Sequence, residues 1–138
     1  MMFDELSINF ENPATDALGY EHVEGRLFCG RDYLELHFDE KDRAFVKIPP
    51  VSVRFTYDEV ERIEYLKKWF RPGKLIFRTH SPEKLAQFPG AKVGMVKLQV
   101  TRDSIRDASR VAGLIEFRQA EAYLGVAEER LRRTSTEL

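Results

Sequence analysis

Three histidines, one cysteine, several serines and many carboxylates are the residues here whose chemistry could serve catalysis or hold a metal. His22, His37 and His80 stand far apart with no ligand spacing, and no His-Glu-x-x-His or Cys-x-x-Cys pattern is present. His37 alternates with Leu36 and Phe38, as a residue on the outer face of a strand does. All three are expected to be structural, and no metal is expected. Cys29 has no second cysteine to pair with and alternates with inward residues, so it reads as a buried thiol and not as a nucleophile. No serine occupies a Gly-x-Ser-x-Gly elbow. The run PGAKVG (89–94) superficially resembles a phosphate loop. It lacks the Gly-Lys-Ser/Thr ending and a helix directly after it, and so reads as a plain loop. Asp39-Glu40 and Asp58-Glu59 fall at turns and strand starts, where a solvated face is their ordinary role. The chain is expected to be noncatalytic and to use no cofactor.

Two other groupings suit binding. Lys67, Lys68, Trp69, Phe70, Arg71 and Lys74 set basic side chains around the single tryptophan, next to Pro72-Gly73, which reads as a hairpin tip. Bases with aromatics suit an acidic protein surface, since Trp and Arg are enriched at binding hot spots. They also suit an anionic membrane, where bases meet phosphates and aromatics sit at the interface. The third alternative is structural, with Trp69 and Phe70 folded back over the protein and the lysines solvated. The second grouping is Phe117, Ala120, Leu124, Ala127 and Leu131, a three-four repeat of the kind found in helix–helix seams. It lies well around the axis from an earlier stripe of Ile105, Ala108, Ala112 and Ile115. One straight helix cannot press both stripes on one body. Either the helix bends or breaks near Gly125, or its second half packs on the N-terminal arm or on another chain.

The elements that must position these residues follow from periodicity. Residues 1–21 contain Asn12-Pro13 and Gly19 and read as an acidic extended arm. From residue 22 the pattern becomes alternating, the mark of strands with one buried face. Strands are expected at 23–29 and 34–38, joined by a turn at Gly30-Arg31-Asp32, then at 44–48 and 51–57. Further strands are expected at 60–66, 74–79 and 95–101, with a loop over 80–92 carrying one helical turn near Pro82. A helix is expected from about 103 to 132, with Thr101 or Asp103 as its N-cap. Residues 22–138 thus read as a single domain of about seven strands followed by a long helix.

Length and composition agree with one domain that buries a core without disulfides: 138 residues, 43% hydrophobic and 33% charged. The start, Met-Met-Phe-Asp-Glu, is acidic where a secretory signal would be basic and apolar. No run reaches the ~18 apolar residues of a membrane span. A soluble cytoplasmic protein is expected. The formal charge of −1 gives no support for nucleic-acid binding. That total hides an asymmetry: residues 1–25 hold six acids and no Lys or Arg, whereas residues 65–80 hold five bases and no acid.

The runs VSVRFTYDEVERIEYLKKWFRPGKLIFRT (51–79) and LAQFPGAKVGMVKLQVTRDSIRDASRVAGLI (85–115) resemble bacterial pleckstrin-homology-like (PH-like) domains. The likeness covers roughly residues 23–120. It implies a mainly β fold, a bent barrel of about seven antiparallel strands capped by the C-terminal helix. It also implies noncatalytic work on a protein, lipid or other ligand, so the chain is expected to bind a protein or to self-associate. A peripheral module reading anionic lipid headgroups through the 67–74 hairpin is the alternative. Inositide-binding members carry a Lys…Lys/Arg-x-Arg signature in the first hairpin. Here GRLFCGRDYLELHF offers only Arg26 and Arg31, with Asp32 beside them, which argues against inositide recognition.

Overall fold

A computed structural model describes residues 5–13, 22–40 and 49–137. Among them the chain forms seven strands, three short 3-10 turns and one long helix. Strands β1 (Leu6–Asn12), β2 (Val23–Cys29), β3 (Tyr33–Glu40) and β4 (Val51–Thr56) pair in that order as an antiparallel sheet. Strands β5 (Val60–Lys68), β6 (Arg71–Thr79) and β7 (Met95–Gln99) form a second antiparallel sheet, and helix α1 (Ile105–Glu137) follows. The expected mainly β architecture is present. The expected barrel is not closed among the described residues: β4 and β5 belong to separate sheets, and β1 meets the chain just after β7 through an isolated bridge, Phe10 to Val100.

Alternation explains the shared core. Leu6, Ile8 and Phe10 face inward from β1, Leu27 and Cys29 from β2, Leu34 and Leu36 from β3, and Leu75 and Phe77 from β6. Phe55 and Phe77 join the two sheets at 5.0 Å between ring centroids. Phe88, from the loop after the 3-10 turn Pro82–Leu85, lies against Phe38 at 4.8 Å and Phe10 at 6.1 Å.

Three expectations differ from this arrangement. Part of the expected N-terminal arm is strand β1, because Leu6, Ile8 and Phe10 alternate with Ser7, Asn9 and Glu11 and bury against β2. Residues 14–21 and the strand expected at 44–48 lie outside the described residues. The buried stripe of α1 is Ala108, Val111, Leu114 and Ile115; Ile105, 37% exposed, faces outward, and Ala112 is only half-buried. The helix also runs through Gly125 without a break.

The start of α1 is locked to the edge of β1, whose free amides would otherwise offer an unpaired strand edge. The Ser7 amide donates to Asp107 Oδ2 at 3.1 Å, and the Asn9 amide donates to Ser104 Oγ at 2.8 Å. Asn12 bridges to β7 as a backbone peptide would: its Nδ2 donates to the Lys97 carbonyl, and its Oδ1 accepts from the Gln99 amide, both at 2.8 Å. Further along, α1 is anchored by Gln119, whose Nε2 donates to the carbonyls of Tyr57 at 3.0 Å and Val60 at 2.9 Å.

Candidate functional site: the β5–β6 hairpin

The basic aromatic stretch forms the end of the β5–β6 hairpin. Lys68 pairs with Arg71, so the turn residues are Trp69 and Phe70, not the expected Pro72-Gly73. Pro72 and Gly73 lie inside β6 instead. Gly73 is needed there because a Cβ would meet the Leu66 carbonyl oxygen at 1.9 Å. Its amide donates to the Tyr65 hydroxyl at 3.1 Å, and a register shift between Leu66 and Lys68 kinks the opposite strand.

Both aromatics project into solvent, Trp69 at 82% exposed and Phe70 at 88%. They contact each other edge to face at 5.0 Å, so the structural alternative of folding back over the protein does not hold. Phe70 adopts φ 64°, a left-handed backbone that bulky residues rarely take; Val93, φ 40°, is the other such non-glycine described. Such strain costs of order 1–3 kcal/mol and clusters at functional sites.

The basic residues divide between two surfaces. Lys67, Lys68, Phe70 and Arg71 join Tyr65, Pro72, Arg102 and Ile105 around a hollow of about 420 Å³, with no carboxylate lining it among the described residues. None of Lys67, Lys68, Arg71 and Arg102 makes an ion pair among the described residues. Lys74 instead lines a cleft of about 290 Å³ that also holds Lys92 and Lys97. The sequence did not point to Arg102 as part of the hairpin surface, since it arrives from the 3-10 turn Arg102–Ser104 ahead of α1, 31 positions after Arg71.

The base of the hairpin is tied by Glu59. Its Oε1 accepts from Lys84 Nζ at 2.8 Å and from the Thr56 amide at 3.0 Å, while its Oε2 accepts from Ser81 Oγ at 2.7 Å. The Glu59 carbonyl accepts from Thr79 Oγ1 at 2.7 Å and from the His80 amide at 2.8 Å. The Lys84 ammonium first, then the Thr56 amide and the Ser81 hydroxyl, hold the carboxyl down to about 2. Glu59 is expected on a solvated face; Thr56 and Glu59 instead form a capping box within one local Thr-x-x-Glu run, and Ser81 and Lys84 arrive together from the Pro82–Leu85 turn, which local spacing does not reveal.

The remaining reactive groups play other parts. Cys29 is fully buried, and burial, with the Asp107 charge second, pushes its thiol up to about 12. The Tyr57 hydroxyl donates to the Gly30 carbonyl, and burial raises its pKa. His37 Nδ1 lies 2.6 Å from Ser52 Oγ on the neighbouring strand. The β1–β2 register sets Glu11 opposite Glu24, with His22 Nε2 3.3 Å from one carboxylate and 3.5 Å from the other. Among the described residues these three are the group with metal-ligand potential, their ligand atoms lying within 4.8 Å of one another. A half-buried imidazole between two carboxylates is equally an ordinary polar cluster, and cross-strand register rather than sequence spacing assembles it.

The expected helix seam is largely exposed. Phe117 is 40%, Leu124 59% and Leu131 68% exposed; Ala120 is exposed and Ala127 half-buried. No described helix is long and apolar enough to cross a membrane. Neither the protein-family models nor the curated proteins compared contain a match to this chain.

Proposed function

We propose that the chain is a noncatalytic interaction module of PH-like architecture that captures a negatively charged protein surface on the tip of its β5–β6 hairpin. The order of a four-stranded sheet, a three-stranded sheet and a helix packed on their shared core supports the architectural reading. One observation carries the functional one: Trp69 and Phe70 stand almost fully exposed at the end of a hairpin with Lys67, Lys68 and Arg71 around them. Two exposed aromatics leave a large apolar area in water, and covering it drives association. The surrounding cations steer an acidic partner and select against basic ones. Arg102 extends the same charge, and the Glu59 tie holds the hairpin base in place.

A second reading is an anionic membrane, favoured by the position of the aromatics at the extremity with the long basic side chains behind them. A single set of variants separates the readings. Substituting Lys67→Glu, Lys68→Glu and Trp69→Ala together removes two cations and one anchor. Capture of a fluorescent Glu-rich peptide carrying an aromatic residue is expected for the native chain and lost in the variant, with the circular dichroism unchanged. Sedimentation with anionic vesicles and no peptide capture moves the assignment to lipid. Binding to neither probe overturns docking at the tip.

A further inference from the structure

Beyond Gln119, α1 continues to Glu137 for about 27 Å at ~1.5 Å per residue, and no described side chain on this extension is buried. Most helical stability in proteins comes from packing an apolar face, and Gly125 weakens this extension further. The seam of Phe117, Ala120, Leu124, Ala127 and Leu131, exposed except for the half-buried Ala127, lies about half a turn around the axis from the buried Ala108, Val111 and Ile115. Among the described residues it faces away from the core that α1 packs on.

We propose that this segment pairs with the same segment of a second copy, antiparallel, to form a two-fold dimer. Size complementarity supports a second copy in that direction. With the two-fold axis near residue 122, Phe117 packs on Ala127 of the second copy, Leu124 on Ala120, and Leu131 on the exposed Gly113. Every layer then joins a large residue to a small one and holds a near-constant volume. A parallel pair would stack Phe on Phe and Ala on Ala, alternating crowded layers with gaps.

Charge selects the same direction. The antiparallel register brings Glu116 opposite Arg130 of the second copy on the flank of the seam, twice by symmetry, and sets Tyr123 against its own counterpart. Glu121 meets Glu121, but each is already paired with Arg118 of its own chain at 2.9 Å. The dimer presents two hairpins per particle, which raises avidity for a repetitive partner without adding contacts to either hairpin.

Light scattering and distance measurements between spin labels test this directly. The native chain is expected to scatter at twice its monomer mass. The variant Leu124→Glu with Leu131→Glu is expected at monomer mass, and its β-sheet circular dichroism should persist because both positions are exposed. Labels on Ala122→Cys and Arg133→Cys read the direction; the buried Cys29 does not take label. Antiparallel pairing adds about 33 Å of axial separation at 133 and none at 122, whereas parallel pairing gives the same separation at both. A native chain that stays monomeric at high concentration overturns the proposal. So does a dimer that survives the double substitution, or equal distances at the two positions.

Discussion

Replacing Glu59 by Gln tests whether the hairpin base is held by a charged tie. Four donor contacts converge on the native carboxylate, from Lys84, the Thr56 amide, the Thr56 hydroxyl and Ser81. The amide keeps one acceptor oxygen and turns donor hydrogens toward other donors. Its ceiling follows from the carboxyl pKa, which falls from 4.5 to about 2 on folding. At ~1.36 kcal/mol per unit this is about 3.4 kcal/mol. Solvent reaches 21% of the Glu59 side chain and 34% of the Lys84 side chain, and screening there reduces the expected loss to about 1.5–2 kcal/mol. Because the folded pKa is depressed, the contribution is complete above about pH 4.5 and fades as pH falls toward 2. Urea unfolding followed by circular dichroism, on native and Glu59→Gln proteins at neutral pH and at about pH 2, reads the difference and cancels the other carboxylates. The gap is expected to be near 1.5–2 kcal/mol at neutral pH and to close at the acidic end. A gap under about 0.5 kcal/mol, or one that does not change with pH, refutes the charged tie.

Two further outcomes are expected. Gly73→Ala forces a methyl to 1.9 Å from the Leu66 carbonyl oxygen, so the β5–β6 ladder must open and stability should fall by at least ~1–3 kcal/mol; an unchanged urea midpoint would falsify the close approach. Cys29, buried and with its thiol raised to about 12, should react with a thiol reagent only after unfolding, and rapid labelling of the folded chain contradicts its placement.

How much of this was legible in the sequence differs by element. Six of the seven strands follow from alternation, because each has one face on the core and one in water. Strand β1 carried the same signal in Leu6, Ile8 and Phe10, but the neighbouring acids and Asn12-Pro13 obscured it. The hairpin tip was misplaced because Pro72-Gly73 has turn chemistry, whereas here proline occupies a strand and glycine admits a close carbonyl. A bulky residue with left-handed backbone at Phe70 is the opposite of what turn preferences lead one to expect. In α1, Ala108 and Ile115 were read correctly. Ile105 was not, because its apolar side chain faces the hairpin hollow and not the core. The Ser81 and Lys84 half of the Glu59 tie and the Arg102 contribution to the hairpin surface depend on segments far apart in the chain, and periodicity carries no information about such meetings.

Docking at the tip requires Trp69 to be presented to solvent, and as the single tryptophan it reports on the tip alone. Its fluorescence, with acrylamide quenching, should be measured on the free chain and again with the Glu-rich peptide. The free chain is expected to emit and quench like an indole in water, in keeping with 82% exposure, and the peptide should shift the emission to the blue and protect it. Blue-shifted, protected emission from the free chain, or emission that neither the peptide nor anionic vesicles alter, contradicts it.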